Sequence, residues 1–282
     1  MAMAEKMVEY IPPENTTYVW FSQFDTKDYP FHDATGLMIL IVFAYLWFIL
    51  KVGPDLMKNR QPMELRKTIF VYNLLQVILS TYYTCLGTAI LWETELFPKV
   101  CPTFDPKFRG KISYLIYVFL LGKYTELLDT IFFVLRKKYD QVSFLHVYHH
   151  SSVVFGTYML FRYSQCHSCV YFITVNSFVH IVMYTYYLVS GLGPQFAKYL
   201  TWKKHITNLQ RIQFISIFLH QILCILRTKC EYSYAAIIYI LYSTVLFFRM
   251  FTNFYTKSYK KKKPPKLIKG VLTMNEEEEK EQ

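Results

Sequence analysis

Residues 146–161 read HVYHHSSVVFGTYMLF, and this stretch decides how the rest of the chain is interpreted. After the three histidines it is apolar enough to lie in a lipid bilayer. Histidines inside a membrane span are costly, and they usually serve pairing, ion pathways or chemistry. In a helix, His146, His149 and His150 share one face, because residues three and four apart are neighbours. The stretch therefore predicts three titratable side chains that point into one place inside a membrane.

The composition of the whole chain agrees with a membrane protein. Its 282 residues are 53% hydrophobic and 19% aromatic, and only 18% are charged. Soluble domains usually carry about 25% charged residues. We therefore expect an all-α integral membrane protein with one bundle domain, and we regard a soluble helical protein with an unusually apolar core as a much weaker interpretation.

Seven stretches predict seven transmembrane helices. The stretch with the three histidines has the weakest hydropathy, because its histidines and serines are polar. The predicted spans are Phe31–Leu50, Thr68–Leu91, Ile112–Leu135, Val142–Phe161, Ser168–Val189, His205–Leu226 and Ser233–Tyr255. We accordingly expect a lumenal N-terminal segment over residues 1–30, a membrane domain over 31–256 and a cytosolic tail over 257–282.

The lysines and arginines predict the orientation of these spans. With the C-terminus in the cytosol, the cytosolic segments carry about twice as many of them as the opposite side, which is the asymmetry that the positive-inside rule requires. The net charge of +11 is then explained by topology and by attraction to the membrane surface. We therefore do not expect a nucleic acid as a partner.

Two features of the predicted lumenal side agree with this orientation. Asn15 begins an N-glycosylation sequon, which needs a lumenal N-terminus to be used. Cys101 and Cys230 fall in lumenal loops, where an oxidising compartment permits a disulfide, and we favour this bridge over two free thiols. The cysteines that we interpret as apolar packing residues are Cys85, Cys169 and Cys224, while Cys166 could serve either role.

Polar side chains of four predicted spans lie at a similar depth near the cytosolic side. From the helical rise, the acidic residues of span 112–135 lie roughly 9–14 Å from its cytosolic end, and the three histidines of the next span lie roughly 6–12 Å from theirs. His180 lies at roughly 14 Å, and span 205–226 begins with polar side chains from Thr207 to Gln213 on the same side. The lumenal halves of the spans are mostly apolar. The pattern predicts a polar chamber above an apolar tube, suited to a ligand with a charged head and a long tail. Taken by themselves, Lys123 and Glu126 could instead form a structural ion pair inside the bundle.

These residues resemble the very-long-chain fatty acid elongases of the endoplasmic reticulum, the ELO family. The resemblance covers nearly all of the chain, and its basis is a set of four motifs in order. HxxHH alone is shared with membrane desaturases, but the whole set with this spacing is strongly specific. The motifs are Lys123-x-x-Glu126-x-x-Asp129-Thr130, His146-x-x-His149-His150, Asn176-x-x-x-His180-x-x-Met183-Tyr184-x-Tyr186-Tyr187 and Thr207-x-x-Gln210-x-x-Gln213.

The resemblance implies a very-long-chain 3-oxoacyl-CoA synthase, an acyltransferase of fatty acid biosynthesis. Such an enzyme joins a long-chain acyl-CoA to malonyl-CoA and releases CO₂ and CoA. The resemblance also implies that helices two to seven form a six-helix barrel around an acyl tunnel, with helix one outside, in the endoplasmic reticulum membrane. The chain ends in Glu-Lys-Glu-Gln rather than in a dilysine signal, so this location depends on the resemblance alone.

The resemblance also assigns roles to residues. His149 is the expected nucleophile, which would form an acyl-imidazole with the thioester. The residues expected to orient it, to move protons or to stabilise the second step are His146, His150 and His180, with Asp129 and Asn176 fixing tautomers. The side chains expected to bind the two CoA substrates are Lys123, Arg136, Lys138, Gln141, Tyr186, Lys203, Thr207, Gln210 and Lys266.

The expected partners are acyl-CoA, malonyl-CoA and the lipid bilayer, and we also consider a homo-oligomer and the other enzymes of the elongation cycle. We expect no metal and no tightly bound cofactor. A diiron desaturase or hydroxylase stays open as an alternative, although it usually needs about eight histidine ligands and only four histidines share the predicted layer. A non-enzymic proton or ion carrier that uses the same layer is the other alternative.

Overall fold

The computed structural model describes residue 26 and residues 29–99, 101–193, 195–196, 201–227 and 234–260, and the regular structure of these residues is helical. Asn15, Cys230 and Lys266 lie outside the described residues, so the predictions for them stay predictions. The helices are α1 (Thr35–Met57), α2 (Arg66–Thr94), α3 (Pro106–Glu126), α4 (Leu128–Leu135), α5 (Phe144–Tyr163), α6 (His167–Gly191), α7 (Lys203–Arg227) and α8 (Tyr234–Tyr255).

The described helices make the chain a multi-pass membrane protein. Within the described ranges, five helices are long and apolar enough to cross a membrane, namely α1, α2, α6, α7 and α8. Large apolar side chains on their outer faces are exposed, such as Phe43, Ile78 and Ile238, as contact with lipid requires. The helix α3 carries five charged residues, and α5 carries three histidines in its first two turns. Both features lower the mean hydropathy of these two helices. The predicted number of seven transmembrane helices stays a prediction.

Several helix bounds differ from the predicted spans for local physical reasons. The predicted span 142–161 begins at Phe144, because the side chain of Ser143 caps the helix by accepting the backbone N–H of His146. The helix α1 continues to Met57 rather than ending at Leu50. It passes through a π-helical turn at Phe48–Val52, just before Pro54, whose missing N–H cannot continue the normal ladder.

The predicted span 112–135 is broken at Leu127 into α3 and α4. The hydroxyl of Thr125 donates to the carbonyl of Gly122 at 2.7 Å, and such back-bonding bends helices. Side chains of α2 also bind this turn: Gln76 Nε2 donates to Thr125 Oγ1 at 2.9 Å, and Tyr72 Oη donates to the Thr125 carbonyl at 3.4 Å. The break therefore has its cause in side chains that insert into the helix ladder.

Packing between helices brings together elements that are distant in sequence. The most extensive contact joins α2 and α6, and α3 packs against both α2 and α5. The helix α7 lies between α6 and α8, and α8 also contacts α5. The helix α1 contacts α5 and α4. Gly53 makes that last contact possible, because a Cβ at this position would lie 2.7 Å from Val134 Cγ1.

Hydrogen bonds identify the two ends of the bundle. At one end, Arg66 of α2 donates to the carbonyls of Gly191 and Leu192, and Met63 N–H donates to the Leu135 carbonyl. We call this the Arg66 end. At the other end, which we call the His167 end, His167 Nε2 and Thr94 Oγ1 are 2.9 Å apart. Sequence position alone favours an interfacial location for His167, and the structure places it at the start of α6 with its side chain buried.

Candidate active site

Four side chains from α3 and α6 form a buried polar cluster in the middle of the bundle. Lys123 Nζ donates to Glu126 Oε1 at 2.7 Å and to Asn176 Oδ1 at 3.0 Å. His180 Nδ1 lies 3.1 Å from the same Glu126 oxygen. All four residues are buried. The helical spacing explains the arrangement: Lys123 and Glu126 are neighbours on α3, and Asn176 and His180 are neighbours on α6. We call these four residues the Lys123 cluster.

The three histidines of α5 lie together but differ in their other neighbours, and the rings of His149 and His150 are 5.5 Å apart between centroids. The rings of His146 and His150 are 4.3 Å apart between centroids. His146 Nε2 also lies 3.0 Å from Thr130 Oγ1 on α4, and that oxygen is 2.7 Å from the Tyr45 hydroxyl on α1. The ring of His149 faces α8 instead, with the Phe247 ring at 5.0 Å. The helix α1 is thereby connected to the histidine motif through Thr130.

Among the histidines of α5, His149 is the one that lines a cavity beside the Lys123 cluster. It is close enough to His180, Lys123 and Glu126 to interact with them electrostatically. This cavity lies between α5, α6, α7 and α8. Its polar lining includes Asn176 and Gln213. The rest of the lining is mainly apolar or aromatic, and includes Val153, Leu160, Phe172, Ile217, Ile240 and Phe247.

Asp129 belongs to a separate contact. Its carboxylate oxygen Oδ2 accepts a hydrogen bond from the Tyr184 hydroxyl at 2.7 Å, and both residues are buried. The structure thus places Asp129 against the tyrosine of the third motif, whereas the tautomer role predicted for it requires contact with a histidine. Asn176, which was predicted to share that role, instead accepts from Lys123.

The other predicted substrate-binding residues lie around the Arg66 end. Arg136 follows α4 and is half-buried, while Lys138, Gln141 and Lys203 are exposed. The Tyr186 ring packs against Trp202 at 5.2 Å, which connects the end of α6 to the segment before α7. Thr207 is buried in the first turns of α7, and Gln210 Nε2 lies 3.8 Å from Met183 Sδ.

One wall of the cavity consists of residues that sequence reasoning missed. Tyr239, Ile240, Ser243, Thr244 and Phe247 of α8 all line it. Their spacing of three and four places them on one face of the helix, which is the signal that could have found them. That signal is ambiguous in a membrane span, since a face of apolar and hydroxyl side chains is also typical of ordinary helix packing.

Two further predictions concern cysteines and metals. Cys101 is buried and is not among the free cysteines, but Cys230 lies outside the described residues, so their pairing stays a prediction. In the described part of the chain, no group of three or more histidine, cysteine or acidic side chains is arranged to hold a metal ion.

The fold and the site define a class of protein: a multi-pass helical membrane protein in which buried ionisable side chains border an apolar cavity. The chain belongs to the ELO family, described as the GNS1/SUR4 family, whose model matches residues 30–267. It is 37% identical over 240 residues to very long chain fatty acid elongase 7 of Drosophila melanogaster, which covers 84% of this chain and 73% of that relative. It is also 37% identical over 242 residues to elongase 1 of Mus musculus, with 84% and 86% covered. Family membership assigns the chain to fatty acid elongation.

Proposed function

We propose that this chain catalyses the condensation step of fatty acid elongation, in which a long-chain acyl-CoA and malonyl-CoA give a 3-oxoacyl-CoA two carbons longer, CO₂ and CoA. The observation that carries the proposal is the position of His149. Its imidazole borders the cavity beside Asn176 and Gln213, and the lining beyond these residues is mainly apolar. A fatty acyl chain in the cavity would place its thioester carbonyl against the polar end. The elongase names of the relatives agree with this substrate class.

The helix contacts support a barrel around this cavity. Each of α2, α6, α7, α8, α5 and α3 contacts the next helix in that order, and α3 contacts α2 again. The helix α1 packs on the outside of this ring, against α5 and α4. We propose that the protein crosses the endoplasmic reticulum membrane seven times. The distribution of lysine and arginine supports a lumenal N-terminus and a cytosolic C-terminus.

In the first half-reaction, an imidazole nitrogen of His149 attacks the thioester carbonyl. The carbon–sulfur bond breaks, CoA leaves as the thiolate, and the thiolate takes the proton from the other imidazole nitrogen. The product is a neutral acyl-imidazole and free CoA. The phenylalanine rings around His149 restrict water, which would otherwise hydrolyse this intermediate.

In the second half-reaction, malonyl-CoA loses CO₂ and becomes an enolate equivalent, which attacks the acyl carbon. A carbon–carbon bond forms, the carbon–nitrogen bond to His149 breaks, and the imidazole recovers one proton from the medium. The proposed role of His180 is to stabilise the enolate oxygen or to supply this proton. Glu126 Oε1 lies 3.1 Å from His180 Nδ1 and accepts a hydrogen bond from Lys123, and the proposal requires no tightly bound cofactor.

The CoA groups are proposed to bind at the Arg66 end. Their phosphates carry negative charge, and Arg136, Lys138 and Lys203 provide cations there. Thr207 and Gln210, which lie in the first turns of α7 at the same end, can donate hydrogen bonds to the pantetheine. The exposed cations among these residues are also expected to anchor the protein on the cytosolic side. Their proposed role in the reaction is to bind the substrates and not to take part in the chemistry. Single substitutions of them should therefore raise KM for the substrates without changing kcat.

The test uses microsomes that contain the full chain, radiolabelled malonyl-CoA and a panel of acyl-CoAs of increasing length. We expect malonyl-CoA-dependent extension that the His149→Ala substitution abolishes, while the His32→Ala substitution retains it as a matched control. Single-turnover samples without malonyl-CoA should contain an acyl group on His149, detectable by mass spectrometry. Full extension by the His149→Ala variant would refute the assignment of the nucleophile.

The two alternative functions predict other results. A diiron desaturase or hydroxylase predicts stoichiometric iron in the purified protein and an activity that a chelator removes. A proton or ion carrier predicts flux in proteoliposomes without any acyl substrate. Extension by metal-free protein would exclude the first alternative as an account of this activity.

A further inference from the structure

Two cysteines at the turn between α5 and α6 lie in direct contact. Cys166 is the N-cap residue of α6, and Cys169 lies in the first turn of that helix. Their sulfur atoms are 2.7 Å apart, and the backbone N–H of Cys169 donates to the Cys166 carbonyl at 3.0 Å. Both side chains are buried. This pair lies at the His167 end, away from the Lys123 cluster.

The spacing and the position of the two residues are those of a reactive dithiol. A Cys-x-x-Cys sequence at a helix N-terminus is the arrangement in which thiols become reactive, because the helix end stabilises a thiolate. A covalent disulfide needs a sulfur–sulfur distance of about 2.05 Å, so the two sulfur atoms would have to approach by well under 1 Å.

We propose that Cys166 and Cys169 are a redox-active pair that closes reversibly to a disulfide at the α5–α6 turn. The pair is independent of the proposed condensation, because neither residue lines the cavity or contacts the Lys123 cluster. The oxidant is a small disulfide of the glutathione type, supplied by an oxidising compartment. With the proposed topology this end of the bundle is lumenal, which is such a compartment.

The local contacts decide which thiol reacts first. Cys166 Sγ lies 2.7 Å from Cys169 Sγ and 3.2 Å from Ser168 Oγ. Hydrogen bonds from these two groups stabilise the Cys166 thiolate and so lower the pKa of this thiol. Cys166 also keeps 8% of its surface exposed, against 1% for Cys169. The thiolate is the attacking form in thiol–disulfide exchange, so Cys166 is the attacking residue and Cys169 the resolving residue.

The exchange then proceeds in two balanced steps. The Cys166 thiolate attacks one sulfur of oxidised glutathione, forms a mixed disulfide and releases one glutathione thiolate. The Cys169 thiolate attacks the Cys166 sulfur, forms the internal disulfide and releases the second glutathione. The two cysteines together lose two protons and two electrons, and the oxidant gains both. The closed disulfide fixes the first turn of α6, which contains His167, and the Nε2 atom of His167 lies 2.9 Å from Thr94 Oγ1 of α2.

The experiment uses the full chain in isolated membranes that are incubated with oxidised glutathione or with dithiothreitol. Free thiols are then blocked with a maleimide under denaturing conditions, and the tryptic peptide 163–198 is analysed by mass spectrometry, since it contains only these two cysteines. We expect the oxidised sample to contain the internally linked peptide without maleimide and the reduced sample to contain the doubly blocked peptide. Double blocking in both samples would overturn the proposal, and so would a link from either cysteine to a third cysteine.

Two substitutions test the assignment of the attacking thiol. With Cys169→Ser the resolving thiol is missing, so we expect a stable glutathione adduct on Cys166 after oxidation. With Cys166→Ser we expect at least tenfold less adduct on Cys169, because that thiol is more buried. Equal adduct in the two variants would refute the assignment. The Cys85→Ser variant is the matched control, in which the internal link is retained.

Discussion

Replacing Lys123 with methionine would leave the carboxylate of Glu126 buried without its cation. Lys123 Nζ is 2.7 Å from Glu126 Oε1, and the two side chains are 3% and 6% exposed, so solvent cannot replace the lost partner. The same substitution also removes the donor to Asn176 Oδ1 at 3.0 Å. Methionine has nearly the volume of lysine, so the packing of α3 against α6 is otherwise retained.

The expected loss of stability follows from these contacts. A hydrogen bond to a charged group contributes about 1.5–3 kcal/mol, and removal of one partner from a buried ion pair costs about 3–5 kcal/mol. We therefore expect Lys123→Met to lower the free energy of unfolding by about 3–5 kcal/mol. Replacement of both charges is often nearly neutral, so the double variant Lys123→Met/Glu126→Gln should recover at least half of that loss.

The assay is a double-substitution cycle on the protein in detergent micelles. The four proteins are the unsubstituted chain, Lys123→Met, Glu126→Gln and the double variant, and each is unfolded by heat or by a denaturing detergent. The interaction energy of the pair is the loss of stability in the double variant minus the sum of the losses in the two single variants. An exposed ion pair of the same chain gives the matched control. Lys111 Nζ is 2.5 Å from Glu93 Oε1, but the two side chains are 35% and 38% exposed, so Lys111→Met should lower stability much less than Lys123→Met.

Two results would refute this reasoning. The first is equal stability of Lys123→Met and the double variant, since it would mean that the Glu126 carboxylate does not need its cation. The second is an equal loss in Lys123→Met and Lys111→Met, since it would mean that burial does not decide the value of an ion pair in this protein. Either result would also remove the structural basis for the proposed positioning of His180.

Three further predictions concern single contacts. Tyr45→Phe removes the hydrogen bond to Thr130, so it should lower the free energy of unfolding by about 1 kcal/mol and lower kcat for elongation severalfold with KM unchanged. An unchanged kcat would contradict the connection of α1 to the histidine motif. Gly156→Ala adds a Cβ that overlaps the Tyr239 hydroxyl in the cavity wall, so activity on the longest acyl-CoAs of the panel should fall first, and equal loss at all lengths would contradict this. Gly53→Ala should lower the free energy of unfolding by about 1–3 kcal/mol, because the added Cβ would lie 2.7 Å from a side chain of α4. An unchanged midpoint of thermal unfolding would contradict the close approach of α1 and α4.

The sequence predicts the long apolar helices and the residues that share a helix face, because both depend on local periodicity. Lys123 and Glu126 are three residues apart, and so are His146 and His149, so their common faces follow from the spacing alone. The choice of partner between helices does not follow, because it depends on how the helices rotate about their own axes. Asn176 could bond His180 on its own helix, yet it accepts from Lys123 on α3.

Features that arise from tertiary contact were the least predictable. His167 precedes an apolar span, which favours an interfacial position, but its contact with Thr94 is decided by the packing of α2 on α6. The contact between Cys166 and Cys169 depends on the cap of α6, which hydropathy does not detect. The cavity wall on α8 contains no carboxylate, imidazole, thiol or cationic side chain, so a search for chemically active residues passes over it.

The break at Leu127 gives the first family motif a different meaning from the one that its spacing suggests. An unbroken helix would place Lys123, Glu126, Asp129 and Thr130 within two adjacent turns of one element. The structure instead assigns the first two residues to the Lys123 cluster and the last two to α4, where Asp129 meets Tyr184 and Thr130 meets His146. The two halves of the motif therefore act on different partners: the first on His180, the second on His146. His180 is four residues from Asn176 on α6, and His146 is three residues from His149 on α5. Since His149 and Asn176 both line the cavity, the two halves of a single motif support the site through two different helices.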